Sequence, residues 1–441
     1  MLSNSLYIKI NKFLNEITFN KYKYILLFIL SLTQIYYKKN NLEKHSIKVA
    51  YYCYSFNYGG IERIFSVLVT YLSKEKILDI SLITYKGKEK DEYLLPNNIK
   101  RISLSEQRLN LCQIIIKEKI DILIYNYEDK EIEELNHLQN TKVIYYNHSS
   151  FLYWIYQRSL YKFQDTVYQI YKKCKYVISL IPVENDYLFK KWGINSVLMD
   201  NPCTFEYDSV KPSALSYKNI IMIGRAKDPV KRYELGIKAM ETIVKEIPFC
   251  EMNIISSVDK NLALLIKNLK LENNIRFTGF HENVEIYLKN TSLHILPSLS
   301  ETYPMVLSEA KIFGIPSILC GLDYLALSRE GTIIIYDDNP HTIGKEAIKI
   351  LTDDEYRKKL GREARESMKK RQNKYIAKKW IKLLLSIYEG NNKFYNDLSK
   401  ENKITKEDAE LILNNQLKLL KKRNNHFNNI TLEQFELYQF E

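Results

Sequence analysis

The chain has 441 residues, 46% of them hydrophobic, which is enough for two domains with ordinary apolar cores and an extension. A formal net charge of +13 points to an anionic partner and does not choose among nucleotide phosphate, membrane surface and nucleic acid. Six cysteines (Cys53, Cys112, Cys174, Cys203, Cys250, Cys320) lie far apart without a C-x-x-C pair, which argues against a disulfide framework or a zinc site and for reduced thiols in a cytosolic protein.

Residues 24–37, YILLFILSLTQIYY, are uncharged and flanked by lysines, but a bilayer-spanning helix needs about twenty apolar residues. Six lysines against Glu16 before residue 41, and tyrosines at both ends, suit a helix lying on an anionic membrane. A helix packed on the domain surface stays equally open, and no small-residue cleavage site follows. Residues 46–55 then read as a strand, and 62–74 carry Ile64, Phe65, Val67, Leu68, Tyr71 and Leu72 at helical spacing. Gly59 and Gly60 lie between them. A strand, a glycine turn and a helix start together expose amides at a positive dipole end, although glycines also serve turns alone.

Strands recur at 78–85, 99–104, 120–125 and 141–147, with helical patterns between. His148 stands at the end of the last, where an imidazole can touch a sugar or phosphate. An aromatic-rich helix is expected over 151–173, a strand over 176–181, a helix over 185–192 and a strand over 196–199. Asn201-Pro202 follows, and 203–217 has little apolar pattern.

The second half opens with a strand at 219–223 ending in Gly224-Arg225. Lys227, Lys231 and Arg232 share the next loop, before a helix from 233. Guanidinium and ammonium groups at a strand end answer the charge of a diphosphate. Strands at 250–256 and 275–280 flank a helix ending near 271. Residues 293–296 form an apolar run broken by Pro297 and Ser298, and 304–314 return to helical spacing. Glu301 falls in the loop and Glu309 in the helix. Seven intervening residues set the two carboxylates to hold opposite ends of an elongated ligand, too far apart to flank one bond. Strands at 316–319 and 332–336 and helices from 341 complete the sheet. In residues 391–441, Leu411, Leu413, Leu417 and Leu420 mark an amphipathic helix, read as a partner or membrane contact.

The run PSLSETYPMVLSEAKIFGIP, residues 297–316, resembles the P-S-x-x-E-[GS]-[FY]-[GP]-x-x-x-x-E-A-x-x-x-G-x-P signature of the retaining glycosyltransferases of group 1, or family 4. The resemblance implies an α/β architecture of two Rossmann-like domains facing across a cleft, the GT-B fold. Glu301 then lies by the donor sugar, the backbone of Thr302, Tyr303, Pro304, Met305 and Val306 meets sugar and phosphate oxygens, and Glu309 binds the ribose. Thr302 stands where the family usually has Gly, so a Cβ enters the loop at its approach to the sugar. Gly59-Gly60-Ile61-Glu62-Arg63 matches a G-G-x-E-R turn that lies against the diphosphate and acceptor. His148 in YYNHSS matches a functional histidine and takes substrate positioning. Arg225 and Lys231 match the phosphate-binding pair, with Arg232 a weaker substitute, and Gly279 and Phe280 match the turn beside the base.

The implied organisation is an arm at 1–45, an acceptor domain at 46–202, a linker at 203–217, a donor-nucleotide domain at 218–372, a crossover helix at 373–390 and a helical extension at 391–441. The implied activity moves a hexose from a UDP- or GDP-linked sugar to a glycan or lipid-linked acceptor with retention. No cofactor and no metal are expected, since no Asp-x-Asp triplet occurs and two cations replace a divalent ion. Residues 1–40 supply the membrane-surface contact, and the location is cytoplasmic and peripheral, at the inner face of a membrane. A catalytically inactive scaffold and a nucleotide-sugar epimerase of the same fold are the alternatives. A nucleic-acid partner is not expected, because the aromatics follow strand and helix patterns.

Overall fold

The computed structural model describes residues 46–57, 59–90, 92–126, 135, 138–150, 174–186, 193–401 and 404–423. The basic arm, the helix expected over 151–173 and most of that over 185–192 lie outside the described residues, as do residues 424–441.

The first domain alternates β1 (Ile47–Cys53), α1 (Gly60–Leu72), β2 (Leu78–Thr84), β3 (Lys100–Ser103), α2 (Leu104–Gln107), α3 (Leu111–Glu118), β4 (Ile122–Tyr125), β5 (Lys142–Tyr146), β6 (Tyr176–Ser179) and β7 (Ser196–Leu198). Its seven strands are parallel in the order β3-β2-β1-β4-β5-β6-β7. Runs such as IKVAYYC and ILIY are buried almost throughout, as strands covered on both faces must be.

The second domain contains β8 (Asn219–Ile223), α4 (Tyr233–Glu246), β9 (Glu251–Ile255), α5 (Lys260–Asn268), β10 (Ile275–Phe277), α6 (Glu285–Leu288), β11 (Leu293–Leu296), α7 (Met305–Ile312), β12 (Ser317–Cys320), β13 (Thr332–Ile335), α8 (Pro340–Thr352) and α9 (Asp354–Ser367). Its sheet is also parallel, ordered β10-β9-β8-β11-β12-β13. In each sheet the order reverses once, between β1 and β4 and between β8 and β11. Ligands bind at such reversals, beyond the strands' carboxyl ends.

Helix α10 (Asn373–Glu389) returns from the second domain to pack on α1 and ends at Gly390, whose φ of 76° closes it with a left-handed turn. Asn373 fixes the start of this crossing: its Oδ1 accepts from Cys203 N at 2.8 Å, and its Nδ2 donates to Cys203 O and Glu206 Oε1, both at 2.9 Å. Trp380 of α10 is fully buried with its ring 5.1 Å from that of Tyr146. One apolar core therefore runs from Ile64 and Leu68, through Trp380 and Leu384, to Leu307 and Phe313.

The linker 203–217 is packed, with Cys203, Val210 and Leu215 buried and Arg365 Nη2 donating to the carbonyls of Tyr207 and Val210. One expectation needs correction, that of the C-terminal leucine stripe. Helices α11 (Lys393–Lys400) and α12 (Lys406–Arg423) follow α10, and the leucine stripe of α12 faces inward: Leu413, Leu417 and Leu420 are buried in the common core. Only Leu411, 60% exposed, looks outward, so this stripe is not a free partner or membrane face. Among the described residues no helix is long and apolar enough to cross a membrane.

Candidate functional site

The β8–β11 reversal sets the loop after Gly224 beside the loop after Leu296. Gly224 has a φ of 147°, and an added Cβ would press on the Tyr233 hydroxyl at 3.2 Å, so glycine suits the turn that launches the basic loop. Asp228 then caps a short 3-10 turn over Pro229–Lys231, its Oδ1 accepting from Val230 N at 3.0 Å. That turn aims Lys231 across the reversal, and its Nζ donates to Glu301 Oε1 at 2.6 Å with both side chains mostly buried. Tyr324 holds the backbone of Glu301 twice over, its hydroxyl accepting from Glu301 N and donating to Glu301 O, each at 3.0 Å. Lys231 and Glu301 are thus brought together.

Arg225 is placed differently. Its side chain is 84% exposed and Nη2 donates to Asp228 Oδ2 at 3.0 Å, so the guanidinium stands at the mouth of the loop. Arg232 is committed elsewhere, with Nε donating to Pro297 O at 2.7 Å and Nη1 2.8 Å from Asp338 Oδ2. The Arg225 charge reaches Glu62 in the first domain. Burial raises the Glu62 pKa, while the residue's own backbone hydrogen bond and Arg225 pull it back. Gly59 is the N-cap of helix α1 and gives it no side-chain cap, and the Glu62 carboxylate folds over Gly59, where a Cβ would strike it; Gly60 faces open space.

Glu309 lies one turn into α7, buried where the domains meet. Its Oε1 accepts from Thr204 Oγ1 at 2.6 Å, and Thr204 in turn accepts from Arg63 Nε at 3.4 Å. Burial raises the Glu309 pKa, against the lowering effect of the Thr204 hydrogen bond and the Arg63 charge. Arg63 also stacks over the Tyr93 ring at 4.8 Å and lies 3.8 Å from Glu282 of the second domain. Burial pushes the Tyr93 hydroxyl up to about 12, with Arg63 opposing and Glu309, Glu62 and Glu282 adding. Tyr93, Thr204 and Asp228 are residues that sequence reasoning missed, and Arg63 was read only as part of its turn, without a role of its own. The first three carried no signal in the sequence.

The remaining candidates spread around this centre. Asn147 sets the direction of His148: its Oδ1 accepts from Ser149 N at 2.9 Å, and its Nδ2 donates to Glu184 at 3.0 Å. The His148 ring lies 4.2 Å from Tyr146, and its Nε2 is buried without a hydrogen bond among the described residues. Burial lowers the His148 pKa to about 3, so the ring is neutral at physiological pH. Thr302 is absent from the residues with positive φ, so its Cβ imposes no backbone strain. Tyr303 is buried in the core shared by the two domains, and burial, with Asp200 adding and Arg371 opposing, raises its pKa. Helix α7 begins at Pro304 without a side-chain cap, so the Met305 and Val306 turn is the uncapped end of a helix. Gly279 has a φ of 85°, with open space where a Cβ would sit, and Phe280 beside it is 61% exposed.

Two facing parallel sheets, each with its reversal at the cleft, joined by a returning helix, define the GT-B fold. Solved structures share it: a sucrose-phosphate synthase from Thermosynechococcus elongatus (TM-score 0.64, 16% identity, 78% of this chain and 100% of that one) and Anabaena Alr3699/HepE in complex with UDP and glucose (TM-score 0.62, 15% identity, 77% and 100%). Residues 205–367 match the family model described as glycosyl transferases group 1. The chain is 22% identical over 370 residues to a GalNAc-alpha-(1->4)-GalNAc-alpha-(1->3)-diNAcBac-PP-undecaprenol alpha-1,4-N-acetyl-D-galactosaminyltransferase of Campylobacter jejuni, covering 77% of this chain and 99% of that protein. It is 27% identical over 148 residues to an uncharacterized glycosyltransferase of Haemophilus influenzae, spanning 33% of this chain and only 41% of that relative's length.

Proposed function

We propose that this chain transfers a hexose from a UDP- or GDP-linked sugar to a glycan or lipid-linked acceptor, with retention of configuration and without a metal ion. The observation that carries the reading is the Lys231–Glu301 pair at the β8–β11 reversal, 2.6 Å apart, with the exposed Arg225 guanidinium on the same loop as Lys231. Lys231 and Arg225 take the diphosphate and stabilise the charge that grows on it as the anomeric C–O bond breaks. Arg225 exchanges its Asp228 partner for phosphate oxygens. Glu301 holds the sugar end, Glu309 the ribose, the turn at Gly279 and Phe280 the base, and Gly59 and Gly60 close over the diphosphate from the first domain. His148, neutral and with Nε2 unpaired, positions the substrate by a hydrogen bond. The acceptor hydroxyl attacks the donor face that the diphosphate leaves, and its proton passes to the departing phosphate oxygen.

The Campylobacter relative's name specifies an undecaprenol-linked acceptor, which favours a lipid-linked glycan here and a place at the cytoplasmic face of a membrane. The test is a kinetic split. Glu309→Ala weakens donor affinity about tenfold through the lost ribose bonds, whereas Glu301→Ala lowers turnover about a hundredfold with smaller change in affinity. Unchanged kinetics in both variants would overturn these assignments.

A further inference from the structure

Helix α12 lies beyond the matched domain, and its last described turn ends at the donor loop. Arg423 grips Asp338 with two nitrogens, Nε to Oδ2 at 2.7 Å and Nη2 to Oδ1 at 2.9 Å. Arg232 reaches the same Oδ2 from the other side at 2.8 Å. Burial alone would raise the Asp338 pKa, but the two guanidiniums bring it down to about 2, so the carboxylate is charged at every working pH. All three side chains are largely shielded from solvent.

The two arginines also hold consecutive carbonyls of one strand of loop. Arg232 donates to Pro297 O at 2.7 Å and Ser298 O at 3.4 Å, and Arg423 Nη1 donates to Leu299 O at 3.4 Å. Leu299 N donates in turn to Val230 O at 2.7 Å, which sets this stretch against the residue before Lys231. Glu301 is two residues on. A second contact from the same helix converges there: Gln416 Nε2 donates to Gly321 O at 2.7 Å and to Asp323 Oδ1 at 2.6 Å, and the next residue is Tyr324, which pins the Glu301 backbone.

We propose that α12 is a positioning element of the donor site, with Arg423, through Asp338 and Leu299, holding the 297–301 loop in register with Lys231. The proposal rests on the donor-site reading above. The guanidinium fork reaches Asp338 and Leu299 at once, which a lysine cannot reproduce.

Calorimetric titration decides it, with UDP and GDP as probes for the nucleotide and UDP-glucose, UDP-N-acetylglucosamine and GDP-mannose for the sugar end. Arg423→Ala leaves the affinity for the bare nucleotide within about threefold and lowers that for the sugar nucleotide about tenfold, because Glu301 at the sugar end follows directly on this loop, whereas Lys231 sits on a turn with its own cap in Asp228. Arg423→Lys shows the same split, to a smaller degree, and decides the matter where the alanine variant does not fold. Equal affinities in variant and wild type, or a parallel loss for nucleotide and sugar nucleotide, would overturn the proposal. A wild-type chain that binds neither UDP nor GDP would instead overturn the donor-site reading itself.

Discussion

His294 sits in the middle of β11, fully buried, with Nδ1 3.1 Å from Ser317 Oγ and burial lowering its pKa to about 3. Unfolded, the same ring takes a proton near pH 6.5. As pH falls from about 6.5 toward 3 the unfolded chain therefore binds a proton that the folded chain refuses, and stability is lost in that window at about 1.4 kcal/mol per pH unit. Urea unfolding of wild type and His294→Asn should give a stability difference that is flat above pH 7 and shifts steadily below it; parallel profiles would disprove the linkage. The comparison is made against a variant because Glu62 and Glu309, with raised pKa values, oppose the trend in both proteins. Residues of this kind differ in how legible they were. Lys231 and Glu301 were named through the resemblance of their loops to the family's motifs; that they pair with each other was not legible, because the adjacency of β8 and β11 appears only in the folded sheet. Thr204 and Tyr93 were not legible at all, because their roles arise only when the linker and the second domain close around Glu309.

Helix α9 shows how element packing overrides local propensity. Gly361 lies in its interior, where alanine would ordinarily favour the helix by about 1 kcal/mol. Here an added Cβ would strike Gly314 O and come within 2.8 Å of Leu215 Cδ1, in the turn that ends α7. Gly314 itself has a φ of 67°, which accounts physically for the glycine of the G-x-P ending of the signature. Gly361→Ala should therefore destabilise the protein by about 2 kcal/mol in urea unfolding, where propensity alone gives the opposite sign. The strands were legible in order and nearly in extent, because buried parallel strands are short apolar runs between breakers. The amphipathic pattern of α12 was legible too. What covers it was not, since a leucine stripe carries no address.

At the scale of the whole molecule, the second-domain site is completed from the first. Arg63 spans the junction through Thr204 and Glu282, Glu62 lies within the field of Arg225, and α10 fixes one sheet against the other through Asn373. On the proposed reading, a donor held by Lys231 and Glu301 would meet these first-domain groups on its open side, as a transfer between two bound substrates requires. Residues 297–316 made the two-domain arrangement readable by resemblance, while the interlocking of Arg63 with the second domain depended on distances no sequence spacing encodes. The most direct measurement is release of free UDP or GDP from a panel of sugar nucleotides with lipid-linked glycan acceptors, for wild type and Lys231→Ala. Nucleotide release coupled to a glycosylated product that keeps the donor's anomeric configuration, reduced at least a hundredfold in the variant, is the predicted result. Equal release by both proteins, or a product of inverted configuration, would contradict the account.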